Sequence, residues 1–291
     1  MEKITIVTDS NAGMSSKEAE NSGVRVIPMP FFIDGEEFFE EISLSHEQFY
    51  AKLREGAEIR TTQPTPGALC DCWKEALESC DKVVYIPMTS GLSGSAETGK
   101  RLAADFDGRV LVADNKRISV TQKESVCEAV AMARIGKSAQ EIVTYLEETA
   151  HVASIYIALD TLTYLKKGGR ITPLAAAVSQ ALRVKPILFS RGEKFDKYAV
   201  ALTAKQAAKK MLAAVEKELY GEFDWYRKHG KMTVSVAHTQ NDVAAAEFAD
   251  EIRRRFPEVP LHFVDPLSLS VSCHIGPGAL AIALAINSWQ D

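Results

Sequence analysis

Four short polar segments carry the residue types and spacings that can do chemistry in this chain. Arg60-Thr61-Thr62-Gln63-Pro64-Thr65-Pro66 sets hydroxyls ahead of a helix start, where unpaired backbone N–H groups suit an anion. Thr89-Ser90-Gly91-Leu92-Ser93-Gly94-Ser95 falls between a strand end and the next helix, the place where ligands sit in open α/β sheets. Gly91-Leu92-Ser93 matches the start of a nucleophile elbow. The G-x-S-x-G pattern needs glycine at 95, however, and Ser95 stands there, so Ser93 reads as a hydrogen-bond donor. Asp160 to Ile171 carries Lys166, Lys167 and Arg170 around Gly168-Gly169, whose backbone freedom lets a basic side chain be aimed. His274-Ile275-Gly276-Pro277-Gly278-Ala279 precedes the last strand, and its Gly-Pro-Gly lets backbone approach closely. Each segment also has a plain structural reading: a capped helix, a Gly/Ser turn, a glycine-capped basic helix end, and a hydrogen-bonded histidine.

Other chemistries lack their residues. The cysteines (Cys70, Cys72, Cys80, Cys127 and Cys273) are odd in number and form no C-x-x-C, which suits free thiols in a reducing cytosol. No cluster with metal-ligand spacing is present, and neither G-x-G-x-x-G nor a Walker loop appears, so neither metal nor cofactor is expected. The net charge of −5 argues against nucleic acid, whose phosphates demand a basic face. A serine hydrolase needs a base and an orienting acid near Ser93. His274 can serve as base, but no third member is nameable. The enzyme reading left open is a small-molecule acyl- or phosphoryl-transferase using Ser93 and His274.

The elements that must position these segments alternate between two periods. With 291 residues the chain is too long for one typical core and suits two domains of roughly 150 each. The start enters a strand at once, without a signal-peptide core, and the longest apolar run, Ala279 to Ile286, is far short of the ~20 residues that span a bilayer. A cytoplasmic protein with at most transient membrane contact is expected. Strands at 4–7, 24–29, 83–87 and 110–113 alternate with helices opened by Ser15, Ser45, Thr65-Pro66, Ser93 and Ser138, which means a parallel sheet covered on both faces. Phe31–Ile33, Asp34-Gly35 and the following Glu-Phe run read as a hairpin. From about Ser154 the pattern becomes α+β with a mixed sheet: strands near 155–159, 186–190, 198–202, 233–237, 261–264 and 280–286, a long helix over 204–219, and a helix capped by Asn241. The expected fold class is α/β, with a parallel-sheet α/β domain over 1–150 and an α+β domain over 151–291.

Taken together, the ordered series of motifs says more than any one of them. T-D-S (Thr8–Ser10), T-T-Q-P (Thr61–Pro64), S-G-L-S-G-S (Ser90–Ser95), L-x-Y-L-K-K-G-G-R-I (Leu162–Ile171), V-K-P-I-L (Val184–Leu188) and H-x-G-P-G-A (His274–Ala279) resemble the DegV family of bacterial fatty-acid-binding proteins over nearly the whole chain. The resemblance implies a lipid-binding protein, not an enzyme, that holds a long-chain fatty acid with its tail buried and its carboxylate at the interdomain cleft. It also implies a partner, a separate fatty acid kinase, which makes an acyl phosphate on the bound lipid. By motif position, Thr61, Thr62, Ser93 and His274 would hold the carboxylate, and Arg170 would face the rim where the kinase reaches the head group.

Two departures from the family pattern stand out. The T-S-Q-P serine is Thr62 here, which keeps the hydroxyl and adds a methyl. After Asp114, where the family commonly shows D-S-x-x-x-S-x-G-x-G, this chain reads Asn115-Lys116-Arg117-Ile118-Ser119-Val120-Thr121-Gln122-Lys123, without either glycine. If the helix that follows lines the acyl tunnel, the shape of that tunnel and its chain preference differ from the usual.

Overall fold

The computed structural model describes residues 2–40, 42–177 and 184–289. Its contacts divide the chain into two compact units, one running to His151 and joined by Trp289, the other covering Val152–Ser288.

In the first unit the elements are β1 (Ile4–Asp9), α1 (Ser16–Ser22), β2 (Arg25–Ile27), β3 (Phe31–Ile33), β4 (Glu36–Phe38), α2 (His46–Arg54), β5 (Ile59–Thr61), α3 (Pro66–Leu77), β6 (Lys82–Ile86), α4 (Ser95–Ala103), β7 (Val110–Val112), α5 (Val120–Arg134) and α6 (Ala139–Glu148). Strands β2-β1-β6-β7 form an all-parallel sheet. Successive side chains of a strand point to opposite faces, and both faces are covered. Ile6, Val84 and Ile86 pack with Val126, Ala129 and Met132 of α5 and Ile142 and Leu146 of α6. Val7, Val83 and Tyr85 pack on the other side with Leu69 and Trp73 of α3. The capping boxes expected at Ser15/Glu18 and Ser45/Gln48 form, as does one at Ser138/Glu141, each satisfying helix N–H groups that would otherwise be orphaned. The Asp34-Gly35 hairpin forms, with both residues at positive φ. Strand β5, which periodicity did not reveal, pairs with β3 and completes a small antiparallel sheet.

In the second unit the elements are β8 (Ala153–Ala158), α7 (Thr163–Gly168), α8 (Pro173–Ala176), β9 (Lys185–Ser190), β10 (Asp196–Ala201), α9 (Ala204–Leu219), α10 (Asp224–Lys228), β11 (Met232–His238), α11 (Asp242–Arg255), β12 (Leu261–Pro266), α12 (Leu269–Ile275) and β13 (Leu280–Ile286). The sheet order is β10-β9-β8-β13-β11-β12, antiparallel except for the β11–β12 pair. The expected fold class, a parallel α/β sheet followed by a mixed α+β sheet, therefore holds. Strand β13 has a clean two-residue period. Its Ile282, Leu284 and Ile286 enter the core with Met211, Leu212 and Val215 of α9 and Phe248 and Ile252 of α11, while Ala281, Ala283 and Ala285 face the other way.

Two helix starts differ from expectation. Helix α4 begins at Ser95, because the Ser93 hydroxyl lies outside it and accepts from the Ser95 N–H at 3.2 Å. Asn241 precedes α11 but makes no side-chain cap, since its Nδ2 donates to Gly278 O at 3.2 Å.

Helix α5 is buried on nearly every face, so its polar residues need partners within the protein. Arg117, just before it, donates from Nη1 to Ser125 Oγ at 2.8 Å and from Nη2 to Thr149 O at 3.1 Å, with Glu128 at 3.8 Å. Tyr145 of α6 donates to the same Glu128. Both members of the ion pair are fully buried, so removing one leaves the other poorly compensated. Arg117→Ala is expected to destabilise the protein by about 3–5 kcal/mol, and the paired change Arg117→Met with Glu128→Leu by clearly less. Denaturant unfolding of the three proteins checks this; equal losses would show that charge pairing is not what matters there.

Candidate functional site

Within the first unit, the T-T-Q-P and S-G-L-S-G-S segments meet. Thr61 ends β5 opposite Phe31, and Thr62 donates its N–H to Pro30 O at 3.2 Å, which holds both hydroxyl-bearing residues on the small sheet. Gln63 then crosses to α4: its Nε2 donates to Thr98 Oγ1 at 3.0 Å. Its Oε1 comes close enough to Gly94 that a β-carbon there would stand 3.2 Å from it. Ser93 is half-buried, with its Oγ 2.9 Å from Ser95 Oγ. The loop that carries it leaves the carboxyl end of β6, and Ser93 N–H donates to Thr89 O at 3.1 Å. Asp9 of the T-D-S segment anchors the same end of the sheet, accepting from Met88 N at 2.8 Å and Asn11 N at 3.1 Å. Burial pushes the Asp9 carboxyl above its ordinary range, against the pull of the Met88 hydrogen bond.

Within the second unit three more motifs meet. A β-carbon on Gly168, at the end of α7, would fall 2.1 Å from His274 Nδ1, so only glycine lets the helix end reach the imidazole of α12. Gly276 combines φ of 78° with a site where a β-carbon would stand 2.4 Å from the Tyr164 ring. Thr239 pins the loop between them, donating from Oγ1 to Gly276 O at 2.7 Å and accepting from Ala279 N at 2.9 Å. Asp160 lies against Gly278 and pairs with Lys185 of the V-K-P-I-L motif. Arg170 is half-buried. Its Nη1 donates back to Gly168 O, and its backbone carbonyl accepts from Phe195 N at 3.0 Å. The αL residue Gly169 closes α7, so a glycine C-cap is part of what this motif does.

Desolvation, with a smaller contribution from the Arg170 charge, pulls the His274 pKa down to about 4. The ring is therefore neutral near pH 7. It can donate one hydrogen bond and accept another, but it is a weak general base. Thr61, Thr62 and Ser93 belong to the first unit, and Arg170 and His274 to the second. Gln63, Asp160, Lys185, Thr239 and Asn241 brace these segments and were not singled out as site residues. Gln63, Asp160 and Lys185 lie within the motif segments, whereas Thr239 and Asn241 are marked only as polar residues between a strand and a helix. Among the described residues no group of His, Cys, Asp and Glu is placed to hold a metal ion, and no helix is long and apolar enough to cross a membrane.

Residues 3–287 match a family described as "Uncharacterised protein, DegV family". The chain belongs to the DegV family. A DegV domain-containing protein of Halalkalibacterium halodurans is 30% identical over 290 residues, covering 99% of this chain and 100% of that one. Among solved structures, a DegV family protein from Thermus thermophilus, described as fatty acid binding, aligns with TM-score 0.85 and 25% identity over 98% of this chain and 99% of its own. DegV from Bacillus subtilis, described as a fatty acid binding protein, aligns with TM-score 0.85 and 25% identity over 99% of this chain and 100% of its own.

The depressed His274 pKa has a consequence for stability. The folded value lies below the ordinary 6.5, so between about 6.5 and 4 the unfolded chain binds more protons than the folded one. Its neutral state supports folding fully above that window, and the support is lost as pH falls through it. His274→Asn is expected to flatten this part of the stability profile, measured by denaturant unfolding at pH 7 and pH 4.5. An unchanged slope would mean that the imidazole is not desolvated. Gly168→Ala, which forces a β-carbon onto the ring, is expected to cost about 1–3 kcal/mol in the same assay.

Proposed function

We propose that this chain is a non-catalytic carrier: it binds a long-chain fatty acid with the tail buried and presents the carboxylate to a separate fatty acid kinase. Thr61, Thr62, Ser93 and His274 hold the carboxylate, and Arg170 guides the partner at the head group. What supports this most is the end-to-end likeness to the Thermus and Bacillus proteins, both described as fatty acid binding. The chemistry agrees. Hydroxyls and a neutral imidazole are donors suited to a carboxylate, whereas a histidine protonated only near pH 4 is poorly matched to general-base work at neutral pH. The Ser93 hydroxyl is engaged by Ser95, which suits a positioned donor better than an activated nucleophile.

A saturated sixteen-carbon tail contains about fourteen methylenes, and full burial at roughly 0.8 kcal/mol each is worth about 11 kcal/mol before ordering costs. Charge-assisted bonds to the carboxylate add about 1.5–3 kcal/mol each. The tail therefore sets affinity, and the head group sets orientation.

Binding of hexadecanoic acid to Ser93→Ala, His274→Asn and the double variant tests whether one carboxylate is shared. Each single change is expected to weaken binding about tenfold or more, with the double variant losing less than the product because both touch the same ligand. Strictly multiplicative losses would mean that the two residues do not share it. Arg170→Ala is expected to retain the lipid and to lose acyl phosphate formation by the kinase, since rim charges govern association. Loss of lipid as well would move Arg170 into the head-group site.

A further inference from the structure

The parallel sheet of the first unit reverses its winding between β1 and β6. The chain leaves β1 for β2 through α1, which α5 holds by the Lys123–Glu18 pair at 2.7 Å, and reaches β6 through α3 on the opposite face. In such sheets the crevice beyond the carboxyl ends of the two strands at the reversal is where a ligand enters. Here a side chain stands in it. Gln122, in the first turn of α5, is fully buried, and its Nε2 donates to Thr8 Oγ1 at 3.0 Å, Asp9 Oδ1 at 3.2 Å and Ile86 O at 3.2 Å. Two backbone and carboxylate acceptors demand the nitrogen on that side, which turns Oε1 the other way. Among the described residues that oxygen is buried without a hydrogen-bond partner. A buried amide oxygen left unmatched is costly, and a plain methylene chain laid against it offers nothing in return. A hydroxyl does.

We propose that Gln122 is a specificity-determining residue of an interior polar subsite, and that the ligand preferred here is a long-chain carboxylic acid bearing a hydroxyl along its chain. The proposal rests on the fatty-acid reading above and goes beyond it by naming the substituted class. Lys123, next in the same turn, is 2% exposed and tied to Glu18 of α1.

The test is equilibrium binding of hexadecanoic acid and of its monohydroxy isomers, with the hydroxyl moved position by position, to the wild-type protein and to Gln122→Met. At least one isomer is expected to bind the wild type about tenfold or more tightly than the plain acid, and Gln122→Met is expected to erase that preference. If every isomer binds the wild type no better than the plain acid, Oε1 is satisfied by water, Gln122 is structural, and the inference is wrong while the fatty-acid reading stands. If neither acid class binds, both fall. The wild-type preference alone decides the matter should the variant fail to fold.

Discussion

The His274 imidazole lies where a β-carbon on residue 168 would stand 2.1 Å from its Nδ1, and burial there makes taking up a proton costly. That contact is what the second unit is organised to maintain. Gly168 must end α7, Gly276 must turn at positive φ beside Tyr164, and Thr239 must hold the loop from the end of β11. Each condition is local, but together they fix where α12 delivers His274 and keep the ring neutral at physiological pH. Held uncharged beside the Arg170 guanidinium, the ring can donate one hydrogen bond and accept another.

The first unit solves a different problem. Its α5 helix is enclosed, yet it carries Thr121, Gln122, Lys123, Glu124, Ser125 and Glu128, all buried. Burying such groups is unfavourable unless each finds a partner, so the helix is bound to β1, α1 and α6 by specific bonds rather than by packing alone. A polar interior of this kind defines its own geometry tightly.

Much of this was legible in the residues themselves. The S-x-x-E capping signals, the D-G hairpin and the alternation in Leu280–Ile286 translate directly into helix starts, a turn and a buried strand. Ser93 reads as opening a helix but lies two residues before α4, and the short α12 that carries His274 gives no periodic signal in its seven residues. Strand β5 escaped notice because three residues, Ile59-Arg60-Thr61, are too few to show a period, and their pairing with Phe31–Ile33 is set by tertiary contact. The polar face of α5 was illegible for the opposite reason: residues such as Gln122 and Lys123 read as solvent-facing unless their distant partners, Thr8, Asp9 and Glu18, are known. Nothing in Gly168-Gly169-Arg170 announces that the guanidinium donates back to the carbonyl at its own helix end.

Mass spectrometry of an organic extract of the purified, untreated protein bears on the central claim most directly. A carrier with a buried acyl tail should come through purification with close to one long-chain carboxylic acid per chain, and it should turn over nothing by itself. An extract free of fatty acid, from a protein that also fails to take up added fatty acid, would contradict the account. So would catalytic turnover of an acyl or phosphoryl substrate in the absence of any partner.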